Sequence, residues 1–363
     1  MKTHLSKRIK LLQKKLQNQK IEGLYLSDPF NIRYLSDFSG TNGQIFITPK
    51  KAYFLTDFRY LGVAKKILPP EVELKIYKKG LLNTLESLLN KHKIAEMAFE
   101  SRNLTYNFFN AFKKNLKIKL KPTTKIVEEL REIKDEEEIA KIIKAQTIAE
   151  KVILEVKKNL KPGKTEKDLS WEIEKFGHGF GADKISFDSI IGFQENSANP
   201  HHQNTDKKLK KGDVVLIDMG MQYQGYCSDM TRMIFTAKPT TEQKEVYLTV
   251  LEAQEKSIQK MKAGVMAKDM DKIARDIIEK AGYGKTFGHS LGHGIGLEVH
   301  ESPNLSPSSE NALAENAIVT SEPGIYLEKN FGVRIEDMLL IKGAKALNLT
   351  KIPKKLEDSI QLI

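Results

Sequence analysis

Five side chains able to ligate metal ions follow one another through the second half of the chain: Asp218, Asp229, His293, Glu322 and Glu336. Four carboxylates and one imidazole make a hard oxygen and nitrogen set, and four negative charges balance two divalent cations. Thiolate-type sites are excluded. Val214 to Ile217 is an apolar run ending in Asp218, and Gly220 and Gly225 permit a turn into a second strand through Cys227, Asp229, Arg232 and Phe235. The two aspartates are therefore expected to face each other near a hairpin. His293 lies in Gly288-His289-Ser290-Leu291-Gly292-His293-Gly294-Ile295-Gly296-Leu297-Glu298-Val299-His300. Glycines so placed let backbones approach closely, and a glycine-flanked histidine is poorly suited to packing. Glu322, in Ser321-Glu322-Pro323-Gly324-Ile325-Tyr326, and Glu336, in Gly332-Val333-Arg334-Ile335-Glu336-Asp337, both follow strand-like runs beside tight turns.

Arginine is scarce, at eight residues against 51 lysines, so an arginine inside such a motif points to a need for a rigid bidentate fork. Arg334 fits that description. The net charge of +12 is unevenly spread: residues 1–125 carry 25 basic against 9 acidic residues, and the remainder 34 against 38. The basic excess is dispersed lysine at helical spacing without interleaved aromatic repeats, which marks a solvated face and no nucleic-acid partner. No stretch approaches the ~20 consecutive apolar residues of a membrane span, and the N-terminal Met1 to Leu16 stretch is a basic amphipathic helix without an apolar signal core. A cytoplasmic protein is expected. One cysteine, Cys227, rules out an internal disulfide, and its place between two candidate ligands suits a small buried hydrophobe.

The 363 residues imply two domains, 1–125 and 126–363, with the boundary near Pro122. The first opens with a helix carrying Leu5, Ile9, Leu12 and Leu16 on one stripe. Short strands at 23–26, 44–48 and 52–56 then alternate with helical patterns at 81–91 and 106–114, which reads as a small α/β domain. From Asp135 a long helix begins, with Asp135 and Glu138 in capping spacing, and Pro162-Gly163 ends it. Residues 161–169 match 262–270 at an offset of 101 with four identities in nine, so two similar halves are expected to enclose one site.

The segments around the five candidate ligands resemble those of the pita-bread metallopeptidases, the creatinase and aminopeptidase family, and most of all Xaa-Pro aminopeptidases and Xaa-Pro dipeptidases, or prolidases. Asn31 to Phe38 and Phe54 to Tyr60 resemble the family's N-terminal domain, so the likeness spans nearly the whole chain. It implies an α+β fold: a C-terminal pita-bread catalytic domain with pseudo-twofold halves, preceded by a smaller creatinase-like α/β domain. It also implies two divalent metal ions, manganese first with cobalt or zinc as alternatives. Asp218 would bind one ion, His293 and Glu322 the other, and Asp229 and Glu336 would bridge both, with a hydroxide between the ions as nucleophile and Glu322 as its proton acceptor.

The same resemblance gives His201 and His300 catalytic contacts to the scissile carbonyl and its tetrahedral intermediate. It places His289, Arg334 and Tyr326 around the substrate. His202 has no matching role. An X-Pro imide lacks an N–H and has fixed local geometry, which calls for a dedicated pocket. The implied activity is release of the N-terminal residue preceding proline, as an aminopeptidase, with the dipeptidase as the alternative; the implied assembly is a homodimer. Residues 1–125 disfavour a methionine aminopeptidase. The complete ligand set disfavours a metal-free creatinase and a catalytically silent binding protein of the same fold.

Overall fold

The computed structural model describes residues 3–363, and the chain divides into two compact units between Arg131 and Glu132. In the first unit helix α1 (Thr3–Asn18) buries Leu5, Ile9, Leu12 and Leu16 completely, as its heptad-like stripe requires. A mixed six-stranded sheet runs β4-β3-β2-β1-β5-β6, built from β1 (Gly23–Leu26), β2 (Gly43–Ile47), β3 (Ala52–Thr56), β4 (Val72–Ile76), β5 (Glu96–Glu100) and β6 (Lys119–Thr123). Its helices are α2 (Pro29–Ser36), α3 (Leu61–Ile67), α4 (Leu81–His92) and α5 (Tyr106–Asn115), and a short α6 (Glu128–Glu132) lies at the division.

The second unit is built twice. Helices α7 (Glu136–Lys158) and α8 (Glu166–Gly179) precede one three-stranded antiparallel ladder, and α9 (Thr241–Lys260) and α10 (Ala267–Lys280) precede another. The expected capping box opens α7: Asp135 accepts from the Glu138 amide, and Glu138 accepts from the Asp135 amide. The first ladder orders β8 (Ile190–Phe193), β9 (Val214–Met219) and β12 (Met230–Phe235) as β12-β9-β8. The second contains β13 (Gly292–Gly294), β15 (Ile318–Ser321) and β18 (Asp337–Lys342), extended by β14 (Glu301–Leu305) and β19 (Lys345–Asn348) into the order β14-β13-β15-β18-β19.

The helix joints of the two halves share a backbone pattern. Gly163 at φ +91° donates to Leu209 O at 2.9 Å, and Gly264 at φ +84° donates to Leu313 O at 2.8 Å. The return bonds, from Leu209 N to Lys164 O and from Leu313 N to Val265 O, are both 2.8 Å. The duplication lives in left-handed glycines and backbone bonding, with little demand on side-chain identity.

Strand alternation decides which face carries the chemistry. Val215, Ile217 and Met219 pack against Ile148, Val152 and Ile173 of the first helix pair, while Val214 and Leu216 lie on the opposite face, which Asp218 continues. In the second ladder Val319, Leu339 and Ile341 pack on Val250, Ala274 and Ile278, which leaves Ile318, Thr320 and Glu322 on the other face.

The expected hairpin forms as one antiparallel ribbon, interrupted at Gly220. β9 ends at Met219, and β10 (Met221–Tyr223) with β11 (Tyr226–Cys227) continues the register of β9 with β12 to the tip, where β10 also pairs with β7 (Lys184–Ile185). Its turn uses Gln224 and Gly225 at φ +48° and +84°, as a primed two-residue turn demands. Asp218 is thereby registered opposite Thr231, and Asp229 falls just before β12 rather than facing Asp218. The two arms approach closely at Gly220, where a Cβ would lie 1.9 Å from Ser228 O. A last small hairpin, β16 (Gly324–Leu327) with β17 (Phe331–Arg334), brings Arg334 to its place. Among the described residues no helix is long and apolar enough to cross a membrane.

Candidate active site

Each half contributes two carboxylates from equivalent places. Asp218 is the penultimate residue of β9 and Glu322 follows β15 directly; Asp229 precedes β12 and Glu336 precedes β18. His293 adds the nitrogen from β13, held against β15 by Gly292, where a Cβ would meet Thr320 O at 2.2 Å. Ligand atoms of Asp229, His293 and Glu336 lie within 4.8 Å of one another. His293 Nε2 is 3.7 Å from Asp229 Oδ2 and 3.3 Å from Glu322 Oε1. Asp218, also buried, is tied in through Arg334.

The tautomer of His293 follows from its neighbours. Nδ1 is 3.0 Å from Gly294 O, a group that only accepts, so Nδ1 carries a hydrogen in either protonation state and Nε2 faces the carboxylates, donating to Glu322 when protonated and offering a lone pair when not. Three carboxylate oxygens, Asp218 Oδ1, Asp229 Oδ1 and Glu336 Oε1, are buried with no hydrogen-bond partner among the described residues. A buried carboxylate oxygen is normally bonded, and an unbonded one is costly. Burial, then repulsion from Glu336 and the other carboxylates, pushes Asp229 well above the usual carboxylate range. Burial, then Glu322 and Asp218, does the same to Glu336. Burial also raises Asp218, against the pull of Arg334; burial pushes Glu322 up as well, but its bond to His293 and the charges of His293, His289 and Arg334 together hold it at about 2. Orphaned anionic oxygens converging with an imidazole lone pair fit divalent cations, which would supply the missing partner and offset the repulsion.

One guanidinium organises this charge. Arg334, 3% exposed, donates from Nη2 to Asp218 Oδ2, from Nε to Thr231 Oγ1 at 3.1 Å, and from Nη1 to Tyr326 OH at 2.8 Å and Pro200 O at 3.4 Å. Thr231 Oγ1 in turn donates to Glu336 Oε2 at 2.8 Å. Arg334 therefore holds one of these carboxylates directly and a second through Thr231. Tyr326 OH passes its proton toward His289 Nε2 at 2.8 Å, since His289 Nδ1 is committed to Ser290 O at 2.9 Å. His300 stacks at a tilt on His293 with ring centroids 4.3 Å apart. His289 and His300 are both lowered from the ordinary imidazole range, chiefly by desolvation, and His201 adds to each, so the three histidines share one neighbourhood.

Residues 140–343 match the model of metallopeptidase family M24, which is more than half of the chain. The chain belongs to metallopeptidase family M24. It is an enzyme of that family, with the pita-bread fold, and residues 8–133 match the creatinase/prolidase N-terminal domain. An Xaa-Pro dipeptidase of Pyrococcus horikoshii is 37% identical over 354 residues, covering 97% of this chain and 99% of the relative. Among solved structures, an Xaa-Pro dipeptidase from Bacillus anthracis superposes with a TM-score of 0.95 at 37% identity, covering 98% of this chain and all of the other. An X-Pro aminopeptidase from Thermotoga maritima gives 0.88 at 36% identity, covering 96% and 100%.

Sequence reasoning about this M24 peptidase missed two threonines and a second arginine. Thr320 Oγ1 accepts from His293 N at 3.0 Å and donates to Glu322 Oε1 at 3.3 Å, much as Thr231 serves Glu336. Each threonine lies two residues from a candidate ligand on the same strand face, and that period-two spacing is the signal that identifies them. Arg232, behind the site, donates from Nη1 to Glu336 O at 2.7 Å and Thr231 O at 3.0 Å, and from Nη2 to Asp337 Oδ1 at 2.7 Å. It fixes the backbone from which Glu336 projects.

Proposed function

We propose that this enzyme hydrolyses the bond between an N-terminal residue and a following proline, as an Xaa-Pro aminopeptidase. The observation that carries the reading is the convergence of His293 Nε2 with three orphaned carboxylate oxygens beside three histidines, in a chain whose relatives are named for Xaa-Pro bonds. Asp218, Asp229, His293, Glu322 and Glu336 would hold two divalent cations, of which manganese is the ion to test first. When bound, such ions lower the pKa of water toward about 7 and so provide a nucleophile at neutral pH. Glu322, kept ionised at neutral pH, receives a proton. His300 and His201 donate to the scissile carbonyl oxygen as it gains negative charge. Arg334 and Thr231 hold Asp218 and Glu336 in place throughout. The proposal also carries a cytoplasmic location and a homodimer.

For peptide length, the engagement of Arg334 within the site favours longer substrates, because four of its five N–H donors are already bonded there and little of the guanidinium is left for the free carboxylate of a dipeptide. A second reading, the Xaa-Pro dipeptidase, is favoured by the names of the Pyrococcus horikoshii and Bacillus anthracis relatives. Adding Mn2+ to metal-free protein and comparing an Xaa-Pro dipeptide, an Xaa-Pro-Xaa tripeptide and a methionyl peptide tests both. Turnover of the tripeptide is expected. Cleavage of the dipeptide alone establishes the second reading, and cleavage of the methionyl peptide alone overturns both.

A further inference from the structure

We propose that Glu166 is the residue that positions His201, by closing both ends of the loop that carries it. The inference rests on the role of His201 given above. Glu166 is the first residue of α8 and is 0% exposed. Its Oε1 accepts from Phe193 N at 2.9 Å and Asn196 Nδ2 at 2.8 Å. Its Oε2 accepts from His202 Nε2 at 2.8 Å, Thr205 N at 2.9 Å and Thr205 Oγ1 at 2.7 Å. One carboxylate thus receives five hydrogen bonds from residues 193 to 205, which begin at the end of β8 and pass through the candidate site. Such bonding overcomes the desolvation of the buried group and holds its pKa below the usual value.

His201 sits between two anchors on this loop. On one side the Pro200 carbonyl accepts from Arg334 Nη1 at 3.4 Å; on the other the His202 ring is bonded to Glu166. His202, which had no role in the sequence, is the direct link between the hub and the histidine beside it. Ser197 Oγ, within the same loop, accepts from Gly332 N at 2.8 Å, which fastens the loop to β17 next to Arg334.

The molecule contains its own control for a purely architectural role. In the second half the same joint is made with Ala267 as the first residue of α10, also 0% exposed, and with the same glycine and leucine backbone bonds. A helix joint of this kind is therefore complete without a carboxylate. An acid in the first turn can also act on the helix dipole, but Glu166 directs both oxygens at the loop, and Asp168 already forms the capping box with Thr165.

The test pairs Glu166→Gln with His201→Ala. In metal-free protein, Glu166→Gln is expected to speed hydrogen exchange across residues 193–205 at least about 10-fold while β15 and β18 are unchanged. In Mn2+-loaded protein it is expected to retain two ions and to lower kcat for an Xaa-Pro tripeptide by about 10- to 100-fold, the scale of a small misplacement. In a His201→Ala background the same change is expected to add no further loss, because a positioning residue has nothing left to position. An equal factor in both backgrounds, or an unaltered exchange rate, overturns the proposal. Wild-type turnover in His201→Ala overturns it together with the role of His201, whereas a slow His201→Ala with independent factors overturns only the role of Glu166. Should Glu166→Gln not fold, His202→Ala removes a single bond of the hub and enters the same cycle with the same expectations.

Discussion

Glu336→Ala is expected to lower turnover of an Xaa-Pro peptide by at least about 1,000-fold, equivalent to about 4 kcal/mol of barrier, and to leave fewer than two bound metal ions. The expectation rests on position. Glu336 precedes β18, has one oxygen bonded to Thr231 and the other buried without a partner, and lies within ligand distance of both Asp229 and His293. The strand itself should survive the substitution, because Arg232 holds residue 336 by its backbone carbonyl. Elemental analysis after dialysis, beside initial rates, separates lost metal from a lost fold. Full activity with two bound ions refutes the bridging role.

His300→Ala is expected to behave differently, cutting kcat by about 100- to 1,000-fold while both ions are retained. His300 lies against the His293 ring, with desolvation and the neighbouring His293 lowering its affinity for a proton. A neutral imidazole there can donate to a developing oxyanion without carrying charge into the site. Loss of metal in His300→Ala makes it a ligand instead and removes its assigned chemistry.

Much of the fold was legible because its signals are local. The α1 stripe, the Asp135 capping box and the apolar run ending in Asp218 are patterns within a few residues, and each appears where the spacing places it. The hairpin through Asp218 and Asp229 was legible, but its register was not. The pairing that sets Asp218 opposite Thr231 depends on the turn at Gln224 and Gly225 and on the close backbone approach at Gly220 and Ser228, which glycine permits but does not announce. The faint match at offset 101 proved informative for a related reason: the conserved feature is a pair of left-handed glycines and their backbone bonds, which four identities in nine understate.

The candidate site divides in the same way. Residues with distinctive chemistry, the carboxylates, histidines and Arg334, stood out by type. Their supports did not, since Thr231 and Thr320 are ordinary strand residues and Glu166 meets His202 across 36 positions. Arg334 stood out by type, but its partners did not: it binds Asp218 directly and reaches Glu336 through Thr231, an arrangement set by the β16 to β17 hairpin. Side chains far apart in sequence are brought together by folding, and a one-dimensional pattern carries no term for that.

The most direct measurement is a calorimetric titration of metal-free protein with Mn2+, run beside Xaa-Pro tripeptide turnover at each point. Two ions bound per chain, with turnover rising from none as the site fills, is the expected result. Binding of no ion, or turnover undiminished in the metal-free protein, would contradict a dimetal Xaa-Pro peptidase.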